Sequence, residues 1–73
     1  LKKNKVGEII SILLASDQIL AATSKGYFLF IDYKNGKLLN YTKASKSGFY
    51  SSPVIVNNSI YTIDKNFRLL VFN

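Results

Sequence analysis

Residues 11–32, SILLASDQILAATSKGYFLFID, and residues 52–73, SPVIVNNSIYTIDKNFRLLVFN, carry the same pattern of apolar and polar positions at an offset of 41 residues, without a gap. Identical residues are few, Ser11/Ser52 and Ile19/Ile60 among them, but the class of residue agrees at most positions. Short strand-like runs that recur every 40–45 residues or so are typical of β-propeller blades, each of which is a four-stranded sheet. The repeat therefore predicts an all-β chain made of antiparallel blades, which forms part of a larger propeller.

The strands follow from runs of β-branched, aromatic and other apolar residues between turn signals. We predict a tail or the end of a preceding strand over residues 1–8, a first blade over 9–43, an inter-blade crossing over 44–51 and three strands of a second blade over 52–73. No stretch has apolar residues at helical spacing over a useful length. The predicted strands lie near residues 9–15, 18–24, 27–33, 37–43, 52–56, 59–64 and 67–72.

A blade is sandwiched between neighbours, so its inner strands should be apolar on both faces. We expect the nearly continuous apolar run 9–15 to be covered on both sides. The third strand should bury its alternate residues on opposite faces, with Ile19 and Ile60 at equivalent sheet positions. These alternate residues are Tyr27, Leu29 and Ile31 on one face and Phe28 and Phe30 on the other.

Six residues are predicted to shape turns. Gly26 is free to adopt a positive φ, and Asn35-Gly36 predicts a two-residue hairpin turn in which both residues have positive φ. Asp32 should cap that turn by accepting backbone N–H groups, and Asn57-Asn58 should form the first turn of the second blade, because Asn tolerates the left-handed region. Asp17 and Asp64 are also interpreted as turn residues.

The segment from Phe30 to Leu39, FIDYKNGKLL, resembles the repeat signature of the pyrroloquinoline-quinone-like propellers, and Ser51–Val56 followed by Ser59-Ile60-Tyr61 resembles the opening of a blade in that family. Asn40 stands where the family often has a docking Trp, and Phe67 stands where it often has Gly. These departures are more similar to degenerate members, such as the propeller lipoprotein of bacterial outer-membrane β-barrel assembly. That resemblance implies a non-enzymatic, cofactor-free protein-binding scaffold in the periplasm, associated with the outer membrane through an upstream lipid anchor.

Two other functions stay open. The same family includes pyrroloquinoline-quinone-dependent dehydrogenases, so a fragment of such an enzyme is the first alternative. The second is a basic nucleic-acid-binding module, since ten Lys and Arg against four acidic residues give a net charge of +6. The lysines fall in turns and tails with no clustering evident in the sequence, which disfavours nucleic acid.

Catalytic and metal sites are not predicted from these residues. The chain has neither His nor Cys, which removes the common zinc sites and nucleophilic triads. Candidate partner contacts are instead aromatic, because such residues are enriched at the cores of interfaces; the alternative is that they pack between blades. These candidates are Tyr33, Tyr41, Phe49 and Tyr50.

The second blade lacks a fourth strand in residues 52–73. We expect another segment to supply it, or copies of the chain to pair through open sheet edges. No uncharged run approaches the roughly 20 residues of a membrane-spanning helix, and no signal-peptide pattern is visible at the N-terminus.

Overall fold

Two antiparallel sheets account for most of the chain, and the predicted all-β class is confirmed. The computed structural model describes residues 2–15 and 17–73. Strands β1–β4 form a four-stranded meander, sheet 1, and strands β5–β7 form a three-stranded meander, sheet 2. The elements are α1 (Lys3–Val6), β1 (Ile9–Ala15), β2 (Gln18–Thr23), β3 (Tyr27–Asp32), β4 (Leu38–Lys43), β5 (Val54–Val56), β6 (Ser59–Ile63) and β7 (Leu69–Phe72).

The 41-residue offset holds in the pairing of the strands as well as in the sequence. Ile19 lies between Leu14 and Ile31 in sheet 1. Ile60 lies between Ile55 and Phe72 in sheet 2, at the positions 41 residues further on. The predicted equivalence of Ile19 and Ile60 is therefore confirmed. A slip of one residue in the pairing of a strand would turn every side chain to the other face of the sheet. The shared pairing therefore places equivalent residues of the two sheets on equivalent faces.

The ends of the strands differ slightly from the predictions. Six of the seven strands are shorter by one or two residues, lost at the end of β2, β3 and β6 and at the start of β4, β5 and β7. The tail contains the four-residue helix α1, which the sequence analysis missed because a single helical turn shows no periodicity. Val6 on this helix is 5% exposed and packs with Ala21, Tyr27 and Leu29.

The two faces of β3 are buried in separate clusters, as predicted. One cluster joins Tyr27 and Leu29 to the partly buried Ile31, and the other contains Phe28 with the partly buried Phe30. By contrast, the expectation that β1 is covered on both faces was wrong. Its residues alternate between exposed and half-buried, with Leu14 70% exposed, because sheet 2 covers only one side of sheet 1.

The second cluster is the contact between the two sheets. On sheet 1 it consists of the inner-face residues Leu13, Ala15, Leu20, Ala22, Phe28 and Phe30, and on sheet 2 it consists of Ile55, Ile60 and Phe72. The repeat equivalents of the sheet 2 residues are Leu14, Ile19 and Ile31, which lie on the outer face of sheet 1. The two sheets thus stack head to tail: sheet 2 presents to sheet 1 the face that, in sheet 1 itself, points away from sheet 2 and is partly covered by helix α1.

The crossing (residues 44–51) runs close over the β2–β3 turn. The backbone N–H groups of Ala44 and Ser45 both donate to the Gly26 carbonyl, at 2.8 and 3.1 Å. Phe49 then pairs with Asp64, and its ring stacks on Phe28 with 5.0 Å between centroids. The crossing therefore ties the β2–β3 turn of sheet 1 to the end of β6 in sheet 2 and adds an aromatic ring to the core between the sheets.

Candidate functional site

The turns that follow the second strand of each sheet are built alike. Tyr27 N–H donates to Thr23 Oγ1 at 3.1 Å, and Arg68 N–H donates to Asp64 Oδ1 at 3.0 Å. Gly26 and Phe67, again 41 residues apart, both have positive φ, 86° and 63°. Thr23 and Asp64 are fully buried. Two different side chains therefore supply the same acceptor to the same turn.

Asp64 is the more heavily bonded of the two acceptors. Its Oδ1 also accepts the Asn66 N–H at 2.9 Å, and its Oδ2 pairs with Arg68 Nε at 3.1 Å. The Arg68 backbone N–H, together with the Asn66 N–H and the Arg68 guanidinium, lowers the pKa of Asp64 below its ordinary 3.8, against the opposing effect of burial. The turn consequently prefers a charged Asp64, in keeping with its predicted role as a turn residue.

Asp64→Asn is expected to lower the melting temperature above about pH 4 and to match the wild type in strong acid. A folded-state pKa below the unfolded value means that the carboxylate stabilises the fold above the unfolded pKa, and that this stability is lost as the pH falls through the folded pKa. Melting curves from about pH 6 to about pH 2 measure the difference. Asp64→Thr is the matched variant, since Thr23 shows that a hydroxyl can hold this turn, and it should melt above Asp64→Val. If the melting temperature of Asp64→Asn stays as far below that of the wild type in strong acid as at neutral pH, the charge of Asp64 does not stabilise the turn.

At the opposite end of sheet 1, Asp32 caps the β3–β4 loop. Its Oδ1 accepts the Lys34 N–H at 2.8 Å, and its carbonyl accepts the Gly36 N–H at 2.8 Å. Gly36 has φ 73°, as predicted, but Asn35 is not among the residues with positive φ. The two-residue turn at Asn35-Gly36 was therefore wrong: residues 33–36 form a four-residue loop, because the Asp32 cap opens the turn two residues earlier. Asn35 Oδ1 stabilises the loop by accepting the Lys37 N–H.

The two-residue turn occurs instead between β5 and β6. Val56 pairs with Ser59, and the intervening Asn57 and Asn58 have φ of 49° and 66°. Positive φ at both central residues is the signature of a type I′ hairpin. The predicted turn at Asn57-Asn58 is thus a two-residue hairpin of this type.

The four aromatic candidates do not form one site. Phe49 is 4% exposed in the core, so it is not available to a partner. Tyr33 lies in the β3–β4 loop, Tyr41 lies on the outer face of sheet 1, and Tyr50 lies in the crossing; they are 52%, 41% and 62% exposed. A surface that binds a partner can therefore include only one of these three tyrosines.

Tyr41 belongs to a cluster of tyrosines and lysines that the sequence analysis did not predict. Its ring centroid is 6.3 Å from that of Tyr27. Lys5 Nζ lies 5.8 Å from the Tyr41 centroid, and Lys43 Nζ lies 5.6 Å from the Tyr27 centroid. β3–β4 pairing and helix α1 bring these four residues together, so no local signal in the sequence could have revealed them.

The expectation that the lysines are not clustered was wrong. Strand direction places the β2–β3 turn, the β6–β7 turn, the crossing and α1 at one end of the two sheets, here called the basic end. This end carries eight of the ten Lys and Arg residues and two of the four acidic residues, and hence the whole net charge of +6. The opposite end is neutral, with Lys34 and Lys37 against Asp17 and Asp32.

The sheets also leave apolar surface open. The outer face of sheet 2 exposes Val54, Leu69 and Val71 by 54%, 64% and 48%. Beside β7, whose outer edge is unpaired in the described sheet, a groove of about 420 Å³ opens between the sheets, lined in part by Phe30 and Thr42.

Other classes of site find no support in residues 2–15 and 17–73. No three potential metal-binding side chains come together there, and no helix in this part of the chain has the length and apolar character to cross a membrane. No known protein family and no curated protein matches the chain. What can be said of function therefore rests on the two stacked sheets and their surfaces.

Proposed function

We propose that this chain is a non-enzymatic protein-binding scaffold, built of β-propeller-like blades, whose partner is a further sheet of the same kind. The head-to-tail stacking of the two sheets is the observation that carries the proposal. Each stacking contact uses two different faces. The outer face of sheet 2 stays open, whereas helix α1 covers part of the outer face of sheet 1 through Val6 and leaves Ile12 and Leu14 exposed there. The chain therefore presents both halves of an interface that it already forms once internally.

The open face of sheet 2 matches the inner face of sheet 1 position by position. Val54, Tyr61, Leu69 and Val71 are the repeat equivalents of Leu13, Leu20, Phe28 and Phe30. Contiguous exposed apolar surface of this kind marks interaction sites in soluble proteins. A sheet that presents residues like those on the outer face of sheet 1 would cover it.

The unpaired edge of β7 provides a second, directional contact. Edges are usually protected by charges, proline or bulges: Lys37 precedes β4, Lys43 ends it, and Pro53 precedes β5. Arg68 precedes β7, but Leu69–Phe72 itself contains neither a charge nor a proline. A strand added there would continue the meander, as β4 does in sheet 1, and would close the groove above Phe30.

The resemblance to pyrroloquinoline-quinone-like propellers extends this proposal. As in the degenerate members, the partner would be a protein of outer-membrane assembly, and the chain would reside in the periplasm at the outer membrane. The repeat register and the stacking are compatible with such a scaffold. A full-length sequence with a lipid-attachment cysteine after a signal peptide would support this assignment, whereas regular blade tryptophans with acidic calcium ligands would favour the dehydrogenase.

Val71→Lys is the direct test of the stacking proposal. We expect the wild-type chain to associate in a concentration-dependent way in sedimentation velocity, because each copy carries both complementary faces. Placing a charge at the centre of the sheet 2 outer face should remove this association. Circular dichroism should remain unchanged, since Val71 is 48% exposed.

Tyr33→Lys is the matched control. Tyr33 is 52% exposed but lies in the β3–β4 loop, so the same increase in charge should leave the association intact. A wild-type chain that stays monomeric at its highest soluble concentration, or a Tyr33 variant that dissociates as much as the Val71 variant, would rule out the proposed interface.

A further inference from the structure

Phe67 is a residue that the fold does not explain. It lies in the β6–β7 turn with φ 63°, a conformation that favours glycine over a bulky residue, and its repeat equivalent is Gly26. Its side chain is 74% exposed, the most exposed of the large hydrophobic residues in the described part of the chain. A strained backbone that presents a largely exposed apolar ring to solvent contributes little to the stability of the fold, and strain of this kind is concentrated at functional sites.

Phe67 does not stand alone at this position. The ring of Tyr50, itself 62% exposed, lies 5.1 Å from the Phe67 ring between centroids. The two rings come from the crossing and from the β6–β7 turn, which Phe49–Asp64 pairing brings together. They form an exposed aromatic pair at the apex of the basic end.

Several cations lie near this aromatic pair. Lys65 and Arg68 flank Phe67 in the chain, and the β2–β3 turn with Lys25 lies alongside. A Cβ built on Gly48 would be 2.9 Å from the Ser24 carbonyl oxygen and 3.5 Å from Lys65 Cε, so the two turns meet at Gly48. The acidic residues of this end, Glu8 and Asp64, are both paired with cations.

We propose that the basic end is a docking surface for an anionic lipid bilayer, with Phe67 and Tyr50 entering the headgroup region and the surrounding lysines contacting lipid phosphates. Elements that bind at a membrane interface combine burial of apolar side chains with electrostatic attraction to anionic lipids. An apolar ring on a turn, with cations near it, matches this combination. The proposal concerns the end of the sheets and is independent of the sheet faces that the scaffold proposal uses.

Single-stranded nucleic acid fits this surface less well. Proteins that bind it line a basic groove with aromatic rings on which successive bases stack. Here one aromatic pair stands on a projecting turn, and rings 5.1 Å apart at an angle of 52° leave no space for a base between them. The planar, negatively charged surface of an anionic bilayer fits this geometry better.

Phe67→Gly separates binding from folding. Glycine relieves the positive φ, so we expect this variant to melt at or above the wild-type temperature. Its affinity for vesicles of phosphatidylcholine with phosphatidylglycerol should nevertheless fall at least roughly tenfold, because the inserted ring is lost. Co-sedimentation with vesicles measures binding, and the wild type should not bind vesicles of phosphatidylcholine alone.

Two double variants test the position of the charge. Lys46→Gln with Lys65→Gln removes two cations from the basic end, and Lys34→Gln with Lys37→Gln removes two from the neutral end. The first should weaken vesicle binding roughly 30-fold, on a scale of about 1 kcal/mol for each cation at the surface, and the second should have little effect.

The other outcomes would overturn the proposal. If the wild type fails to bind anionic vesicles, whether or not it binds a single-stranded oligonucleotide, the basic end is not a lipid-docking surface. Equal losses of vesicle binding in the two double variants would mean that binding depends on the net charge of the chain and not on the basic end. Unchanged binding of Phe67→Gly would show that the exposed ring has no part in docking.

Discussion

Gly26→Ala is expected to leave most of the chain unfolded. A Cβ at this position would overlap the Ser45 carbonyl oxygen, in the crossing, and the residue has φ 86°. Strain from the positive φ and displacement of the crossing together should cost about 2–6 kcal/mol. The whole stability of a domain this small is only about 3–5 kcal/mol. Urea unfolding followed by circular dichroism would measure the loss.

Gly36→Ala is the control for the contribution of the backbone angle alone. Gly36 has φ 73°, but a Cβ there would meet nothing within 4 Å. This variant should therefore lose about 1–2 kcal/mol, the cost of the left-handed conformation by itself. If the two alanine variants unfold at the same urea concentration, the crossing does not pass over Gly26 as closely as the structure shows.

Phe28→Ala should have the next largest effect, a loss of about 3–5 kcal/mol. Phe28 is fully buried, stacks on Phe49 at 5.0 Å and meets the edge of Phe72 at 5.2 Å. Removing its ring leaves a cavity where sheet 1, the crossing and sheet 2 converge, so the two sheets should separate together. Chemical unfolding would show the loss, and binding of an apolar dye would report the newly exposed surface.

Two further variants serve as controls for this prediction. Phe28→Leu keeps most of the apolar volume and should lose less than about 1.5 kcal/mol. Tyr33→Ala removes an aromatic ring that is 52% exposed, and its stability should stay within about 0.5 kcal/mol of the wild type. A Phe28→Ala chain as stable as the Tyr33 variant would mean that the sheets do not share a core.

The repeat explains why losses at these positions are large. Sheet 2 has three strands, of which β5 spans only Val54–Val56, and isolated small sheets are marginal in water. Its folding therefore depends on the contact with sheet 1 through Phe28, Phe49 and Phe72. A change at this contact acts on both sheets at once rather than on one strand.

The class of fold, the number of strands and the equivalence of positions in the two sheets followed from the sequence alone, whereas the register of β3 with β4 did not. Side chains alternate with a period of two along a strand, so the 41-residue repeat was enough to place Ile19 and Ile60 at equivalent positions and to divide Tyr27 and Phe28 between opposite faces. The cap at Asp32 and the hairpin at Asn57-Asn58 were also predictable, because each depends on hydrogen bonds or backbone angles within a few residues.

Tertiary structure alone decided where the charges and the exposed rings lie. Antiparallel strands return every second turn to the same end of the sheets, so residues as distant in sequence as Lys5, Lys46 and Arg68 gather at the basic end. The same return brings Tyr50 beside Phe67 and buries Phe49, although the two crossing residues are adjacent and both aromatic. Such groupings depend on contacts between segments far apart in the chain, and no pattern of local spacing records them.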